Sequence, residues 1–430
     1  MSASSQQRGI VGDRDVVLLG IGHTHAHVVR EWRARPLPRA RLICVSDCDV
    51  ATYSGMLPGV LAGEYPPDAM AINLRQFCDR AGAQLVIAQV TGLNVLDRQL
   101  VFADRPPLAF DVLSIGVGSV ASWQGVDCVD WSQVVQVKPM QTFLDRLGAR
   151  LRAATVARGI CPVRIVTVGG GAGGVEVTLC LPAYVRAQLG ANARFEHTVV
   201  CGGPDILPGS ARGTVERVTR IYQRRGVEIV RGRLVTQVDG AGITLDDGSR
   251  MEADVVLWAT GAAAPPVLSR MGLPTDAGGF LLTTDTLQST GSGSVFAVGD
   301  TGSIEGVPTP KAGVYAVRQG PVLWSNLQRM MSTAPLRRYA PQRTLLRLVN
   351  TGDGRAIGEW RGISFEGVWC RRLKDIIDRS MQIKYFRDHI DTCLIAENRT
   401  FIDEIEAKKI DGKPVPVSWR DVFSTEDFSG

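Results

Sequence analysis

Two glycine-rich segments carry residues whose spacing could bind phosphate groups. In the first, an apolar run passes through Gly20 and Gly22 into a helical pattern; in the second, a similar run passes through Gly169, Gly171 and Gly174. Such glycines permit a tight turn and let a pyrophosphate approach the backbone, while the next helical turn offers its free N–H groups. Each segment predicts a dinucleotide site, and the pair is more specific than either alone.

The first segment departs from the usual fingerprint, because His25 stands where the third glycine is expected. His23, His25 and His27 are three of the five histidines in the chain. Only His23 and His27 share a helical face and no carboxylate is near, so a metal site is not predicted. We expect His23 and His25 instead to lie along the pyrophosphate.

Small or acidic residues that end other predicted strands complete the first site. Asp47 follows the second strand, where an acid can hold a ribose hydroxyl, and its neighbours Ser46 and Asp49 could take the same role. A solvated loop acid is the alternative. Gly116 ends a buried strand whose backbone could pass close to a cofactor. Gly299 and Asp300 end another, and the Asp300 carboxylate could accept hydrogen bonds from a ribityl chain.

The second site lacks the corresponding acid. Its strand ends in Cys201, Gly202 and Gly203. Either the nucleotide is held in another way, or Arg212 binds the 2′-phosphate of NADPH. The sequence therefore does not show whether the nucleotide is NADH or NADPH. Gly261 ends a further buried strand beside this site.

The alternation of strands and helices that positions these residues predicts an α/β protein. Two Rossmann-like dinucleotide-binding domains are expected, the second inserted in the first, followed by a C-terminal α+β extension. A chain of 430 residues exceeds what one core usually serves. The predicted boundaries are 14–120 and 263–335 for the first domain, 121–262 for the inserted domain and 336–430 for the C-terminal domain.

Composition excludes several classes of function. The net charge of +5 is spread along the chain, and the first 330 residues hold no basic run with interleaved aromatics, so a nucleic-acid partner is not expected. The nine irregularly spaced cysteines favour a reducing compartment. With a polar segment before residue 14 and no run of apolar residues long enough to span a bilayer, we expect a cytoplasmic protein that does not span a membrane.

With both glycine segments and strands ending at Gly261 and Asp300 in this order, the chain resembles the two-dinucleotide flavoproteins related to the disulfide reductases. That resemblance implies FAD in the first domain and NAD(P)H in the inserted one. The residues it implies for FAD are Gly20, Gly22 and Asp300, and those for the nicotinamide nucleotide are Gly169, Gly171, Gly174 and Gly261.

A narrower likeness is carried by residues 23–27, 53–59, 311–320 and 350–357. These segments resemble the type II NADH:quinone dehydrogenases and the flavoprotein module found ahead of selenophosphate synthetase in some fused proteins. The likeness implies hydride transfer from NAD(P)H to flavin and on to an acceptor, expected to be a quinone.

Three candidate catalytic residues follow from this likeness. Glu176 corresponds to a glutamate beside the nicotinamide pocket, with helix capping as the alternative. Lys311 belongs to the 311–320 segment. Gln319 matches the second glutamine of the quinone-side helix, whereas Gly313 replaces the first.

Two alternatives stay open. The helix after the first glycines carries no cysteine pair, which excludes a disulfide-reductase mechanism. A sulfide:quinone oxidoreductase could use Cys128, Cys161 and Cys370 instead. A flavin- and nucleotide-binding sensor with little turnover is the other alternative.

The stretch 365–387 combines an apolar stripe with cations on other faces. Such a pattern is typical of a helix lying on an anionic membrane surface. The likeness to the type II dehydrogenases favours this placement and implies a protein peripheral on the inner face of the membrane. Packing on the flavin domain or in a homodimer is the alternative. The stripe comprises Phe365, Val368, Trp369, Leu373, Ile376, Ile377 and Met381, and the cations are Arg371, Arg372, Lys374, Arg379, Lys384 and Arg387.

Overall fold

The computed structural model describes residues 14–342 and 344–386 and two short strands at 409–410 and 413–414. The described residues form eight α-helices. In chain order they are α1 (His23–Ala34), α2 (Leu57–Leu61), α3 (Leu74–Arg80), α4 (Phe143–Arg158), α5 (Ala172–Leu189), α6 (Arg212–Arg225), α7 (Gly313–Ser332) and α8 (Val368–Phe386).

Thirteen strands build the three sheets that matter for the site. They are β1 (Arg14–Leu19), β2 (Ala40–Ser46), β3 (Gln84–Ile87), β4 (Val112–Ile115), β5 (Val134–Gln136), β6 (Val163–Val168), β7 (Phe195–Cys201), β8 (Val227–Arg231), β9 (Val255–Trp258), β10 (Val295–Ala297), β11 (Arg347–Asn350), β12 (Ala356–Trp360) and β13 (Ile363–Gly367).

Shorter elements connect these sheets. The remaining strands are Val50–Thr52, Ala71–Asn73, Val90–Asn94, Gln99–Phe102, Leu108–Ala109, Val120–Ala121, Asp127–Cys128, Val235–Asp239, Gly242–Leu245, Arg250–Glu252, Ala262–Ala263, Leu281–Thr283, Gly302–Ile304, Lys409–Ile410 and Lys413–Pro414. The 3₁₀ turns are Ser54–Met56, Pro67–Met70, Met140–Thr142, Pro266–Arg270 and Gly299–Thr301.

The chain divides into two compact units. The first draws its described residues from 1–51, 72–120 and 262–342, and the second from 52–71, 121–261 and 343–430. The segment 52–71, which the sequence placed within the first domain, therefore belongs with the second unit.

A five-stranded parallel sheet forms the centre of the first unit, in the spatial order β10-β4-β1-β2-β3. The apolar run 16–19 of β1 is buried on both faces, as a central parallel strand requires. Helices α1 and α7 pack on each other, with the Trp32 and Trp324 rings edge to face at 6.4 Å. The chain thus passes from the carboxyl end of β1 into α1 on the side of the sheet where α/β proteins bind their ligands.

The second unit repeats this design, with the parallel order β5-β9-β6-β7-β8. Strand β6 leads through the second glycine segment into α5. The prediction of an α/β fold with two Rossmann-like sheets is therefore confirmed.

The second unit also contains the antiparallel sheet β11-β12-β13, on which α8 packs. Phe365 lies in β13 rather than in α8, and it is buried with Cys370 and Leu373 in one apolar cluster. Two of the predicted surface cations, Arg371 and Lys374, are buried as well.

This placement corrects the expected membrane stripe. Its members Phe365, Leu373 and Ile376 are buried within their own unit. An apolar helix face is stabilised by packing on another apolar surface of the protein just as it would be by a bilayer. Val368 is 54% exposed, and Arg372 is exposed too. Lys384 and Arg387 lie beyond the side chains that the structure describes. No helix within the described residues is long and apolar enough to cross a membrane.

Candidate functional site

The first cradle is the turn from β1 into α1. Gly20 has a φ of +79°, and a Cβ at this position would lie 2.5 Å from the Gly116 carbonyl oxygen. Only glycine fits this turn, because both the backbone angle and the contact exclude a side chain. A Cβ on Gly22 would meet only that same oxygen, at 3.8 Å. The space beside Gly22 is therefore open, and no side chain caps the first turn of α1.

His25 supports this cradle from below. Its Nδ1 is hydrogen-bonded to the Gly20 carbonyl oxygen, and its Nε2 is hydrogen-bonded to the Ser114 hydroxyl at 2.8 Å. Burial lowers the pKa of His25 to about 4, so the ring is neutral at pH 7. Both nitrogens are used inside the protein, so His25 holds β1, β4 and α1 together rather than lining the phosphate site. The sequence placed it along the pyrophosphate because the motif does not show which way the ring turns.

Asp300 follows β10, which pairs with β4 in the sheet that carries the first cradle. Its Oδ2 accepts a hydrogen bond of 2.6 Å from the Ser119 hydroxyl. Burial lowers the pKa of His23, and the nearby Asp300 carboxylate opposes that shift. His23 and Asp300 therefore lie within electrostatic reach of each other, and Ser119 is a partner of Asp300 that the sequence did not single out.

Gln319 and Lys311 hold the segment that carries Asp300. The Gln319 Oε1 accepts a hydrogen bond of 2.6 Å from the Gly299 N–H, where φ is +62°. The Lys311 Nζ donates to the Gly302 carbonyl at 2.8 Å and to the Ser303 hydroxyl at 2.9 Å. Burial lowers the pKa of Lys311 to about 8. Both side chains thus fix the loop after β10, a role that their places in the chain do not reveal.

The second cradle is built more tightly than the first. A Cβ on Gly169 would lie 2.2 Å from the Ala259 carbonyl oxygen, and one on Gly174 would lie 2.0 Å from the Gly169 carbonyl oxygen. These two glycines let α5 approach β6 and β9 closely. A Cβ on Gly171 would meet no protein atom within 4 Å. Gly171 is thus free on the side where a phosphate would approach the α5 N-terminus.

The strand ends beside the cradles differ in chemistry. Asp47 is exposed directly after β2, whose Val45 pairs with Leu19 at the first cradle. At the second cradle the matching strand ends in the buried Cys201. Arg212 is exposed at the start of α6 and pairs with Glu216 at 2.7 Å. A Cβ on Gly261 would meet nothing within 4 Å, which leaves space at the end of β9.

Glu176 lies in α5, five residues after Gly171. Its Oε1 accepts a hydrogen bond of 2.8 Å from the Asn350 N–H and lies 3.6 Å from the Lys374 Nζ. The carboxylate therefore does not cap its own helix. Lys374 and Asn350 are partners that sequence reasoning missed, although Asn350 begins the 350–357 segment on which the family likeness rests.

The three cysteines considered for sulfide chemistry have different surroundings. Cys370 is fully buried in an apolar cluster, and burial raises its pKa to about 12. Cys161 is exposed after α4, and Cys128 packs against the apolar core beneath β9. A buried thiol of this kind is inert, so Cys370 gives no support for a cysteine relay. Within the described ranges, no group of three or more His, Cys, Asp or Glu residues could hold a metal ion.

The cradles can be tested for their fit to dinucleotides. A side chain would be blocked at Gly20 in the first cradle and at Gly169 and Gly174 in the second. Each cradle also has one glycine, Gly22 or Gly171, at which a Cβ would meet no protein atom closer than 3.8 Å. Each opens into an α-helix without a side-chain cap, so backbone N–H groups are available to an anion. Both sites therefore fit a pyrophosphate.

Comparisons with known proteins agree with this geometry. The type II NADH:quinone oxidoreductase of Haemophilus influenzae is 27% identical over 201 residues, which are 44% of this chain and 45% of that protein. The chain spans about half the length of the curated relatives it matches.

Two solved structures share the fold. The sulfide:quinone oxidoreductase of Aquifex aeolicus has a TM-score of 0.73 at 14% identity, covering 90% of this chain and 95% of that one. NDH2 from Plasmodium falciparum has a TM-score of 0.72 at 13% identity, covering 87% and 99%. At these identities the likeness shows the fold alone.

The family described as pyridine nucleotide-disulphide oxidoreductase matches residues 14–320, a range that begins at β1 and ends in α7 and so contains both cradles and the Gly299–Asp300 segment. The chain belongs to the pyridine nucleotide-disulphide oxidoreductase family.

Proposed function

We propose that this protein is an FAD-dependent NAD(P)H dehydrogenase that passes electrons to a quinone without a redox disulfide. The observation that carries the proposal is the presence of two cradles, each with an open glycine beside an uncapped helix N-terminus. The relatives named as NADH:quinone oxidoreductases support the choice of nucleotide and acceptor. Helix α1 carries no cysteine, so no thiol there could relay the electrons.

The chain's own residues bind and orient the two cofactors. Gly20, Gly22 and the first turn of α1 would hold the FAD pyrophosphate, and Asp300, oriented by Ser119, would accept hydrogen bonds from the ribityl chain. Gly171 and the first turn of α5 would hold the pyrophosphate of the nicotinamide nucleotide. When bound, NAD(P)H supplies a hydride and FAD accepts it.

Other residues keep these binding groups in place. Gln319 and Lys311 fix the loop that carries Asp300, and His25 fixes the turn at Gly20. The contribution of the protein is therefore position and electrostatics, as is usual for cofactor enzymes.

The test is anaerobic stopped-flow mixing of the purified flavoprotein with NADH or NADPH, followed by addition of a soluble quinone. Rapid bleaching of the flavin and its reoxidation by quinone are expected. A protein that binds the nucleotide without bleaching would be a sensor instead. Reduction by sulfide but not by either nucleotide would favour a sulfide:quinone oxidoreductase.

We propose in addition that the protein binds a membrane surface and forms a homodimer. The membrane contact would rest on exposed residues of the 365–387 stretch such as Val368 and Arg372. Co-sedimentation with anionic vesicles tests the first partner, and light scattering of the flavoprotein tests the second.

A further inference from the structure

A buried group of charged side chains lies within the second unit, where α5, α8 and the segment 52–71 meet. At its centre the Lys374 Nζ lies 3.6 Å from the Glu176 Oε1 and 3.3 Å from the Asp378 Oδ2. Lys374 is 9% exposed and Asp378 is 5% exposed. Charges at this depth persist only with partners, so the three groups depend on one another.

One ammonium serves two carboxylates in this triad. Glu176, Lys374 and Asp378 together therefore carry one net negative charge when all three are ionised. The nearest other pair balances itself, since Arg371 lies 2.7 Å from the Glu64 Oε2. The excess negative charge thus belongs to the triad.

The remaining groups around Asp378 are neutral or already paired. The Tyr53 hydroxyl donates to the Asp378 Oδ1 at 3.4 Å, and Cys180 of α5 lies within electrostatic reach of Glu176 and Lys374. Burial raises the pKa of Cys180 well above its usual value, so this thiol stays neutral. Asp378 is then the carboxylate whose removal or protonation leaves Lys374 to Glu176 alone.

The triad touches the helix that forms the second cradle. Glu176 is the fifth residue of α5, and the cradle lies at the N-terminus of the same helix. A nicotinamide ring is cationic when oxidised and neutral when reduced. A net negative charge near such a ring stabilises the oxidised form relative to the reduced form.

We propose that Asp378 is a positioning residue that, by sharing Lys374 with Glu176, sets how strongly the second cradle prefers oxidised over reduced nicotinamide. This inference rests on the proposed function, because it requires a nicotinamide nucleotide at that cradle. With Asp378 ionised, Lys374 is divided between two carboxylates and Glu176 keeps part of its negative charge. With Asp378 neutral, Lys374 pairs with Glu176 alone and the triad has no net charge.

Protonation of Asp378 removes the net negative charge of the triad in the wild-type protein. Burial raises the pKa of Asp378 to about 6, although Lys374 opposes the rise. Lys374 itself stays charged, because the carboxylates raise its pKa above the ordinary value in spite of burial. Lowering the pH from 7.5 to 5.5 should therefore weaken the preference for the oxidised ring.

The experiment measures binding to the full-length flavoprotein by calorimetry. Three probes are used: NAD⁺, its 1,4,5,6-tetrahydro analogue, whose neutral ring cannot release a hydride, and ADP-ribose, which lacks the ring. If the protein prefers the 2′-phosphorylated series, the corresponding probes replace them. The variant is Asp378→Asn, and the matched control is Asp375→Asn, which removes a carboxylate paired with Arg379 on the same helix.

The expected result is that Asp378→Asn raises the ratio of the Kd for NAD⁺ to the Kd for the tetrahydro analogue by about fivefold, as for one partly screened charge. ADP-ribose shares the pyrophosphate but lacks the ring, so it reports any effect of the lost charge on the phosphates, and that effect cancels in the ratio. Asp375→Asn should keep the wild-type ratio. An unchanged ratio in Asp378→Asn overturns the inference.

A failure of the variant to fold and a failure of the proposed function can be told apart from a failure of the inference. If Asp378→Asn does not fold, the wild-type ratio measured at pH 5.5 and 7.5 decides, and equal ratios overturn the inference. If wild-type protein does not bind ADP-ribose or its 2′-phosphorylated form, the proposed function fails at its second cradle, and the inference falls with it.

Discussion

Three neighbouring glycines of the second cradle should respond differently to the same added methyl group. In Gly174→Ala the Cβ would lie 2.0 Å from the Gly169 carbonyl oxygen, about 1 Å inside the closest contact that real Cβ atoms show. Helix α5 must then move away from β6. Such overpacking lowers the free energy of unfolding by about 1–3 kcal/mol.

Gly173→Ala is the matched control for this change. It lies in the same helical turn, and its Cβ would meet no protein atom within 4 Å. Alanine is favoured over glycine in a helix by about 1 kcal/mol, so Gly173→Ala should be slightly more stable than wild type. The two variants should therefore differ by about 2–4 kcal/mol in urea unfolding.

Gly171→Ala separates binding from stability. Its Cβ also meets no protein atom, and φ is −70°, so the change in stability should stay within about 1 kcal/mol. The methyl group would fill the space over the α5 N-terminus, and the affinity for ADP-ribose should fall by about tenfold or more. Equal affinity in wild type and Gly171→Ala would refute the placement of the pyrophosphate, and equal stability of Gly173→Ala and Gly174→Ala would refute the packing argument.

Three further changes test the support of the first cradle and the absence of a thiol relay. The pKa of His25 is about 4 in the folded protein and 6.5 in the unfolded chain, so the stability that the neutral ring contributes is complete above pH 6.5 and is lost as the pH falls through 4. The free energy of unfolding in urea should therefore fall on acidification from pH 6.5 to pH 4, and His25→Gln should make that fall smaller by roughly 3 kcal/mol. Gln319→Leu leaves the Gly299 N–H without its acceptor and should lower the flavin content of the purified protein, whereas Gln319→Glu should retain it. Cys161→Ser and Cys370→Ser should each keep the NAD(P)H-to-quinone rate within about twofold, and loss of a sulfide-driven rate in either would instead indicate sulfide chemistry.

The cradles could be predicted from the sequence because their geometry is local. A buried strand, a turn and a helix N-terminus are formed by consecutive residues, and the left-handed turn at Gly20 is open only to glycine. The same holds for Gly169 and Gly174, whose spacing along the chain fixes their contact in space. The two Rossmann-like sheets follow from repeating that local unit.

The partners of the polar side chains could not be predicted, because they come from distant parts of the chain. His25 bonds to Ser114, and Gln319 bonds to Gly299 across the start of α7. A motif shows that such residues are near a cradle but does not show whether the side chain faces the ligand or the protein. That choice depends on which strand or helix lies behind it.

The sequence by itself determined that this chain has two glycine turns that lead from a parallel strand into a helix, because each turn needs only its own residues. Only the tertiary structure decided where α8 lies, since its apolar stripe would suit a bilayer or the β11–β13 sheet equally well. Burial of Lys374 between Glu176 and Asp378 likewise requires α5 and α8, which are distant in the chain, to meet. Periodicity records that a face is apolar, whereas the free energy of covering it depends on the surface that folding brings against it.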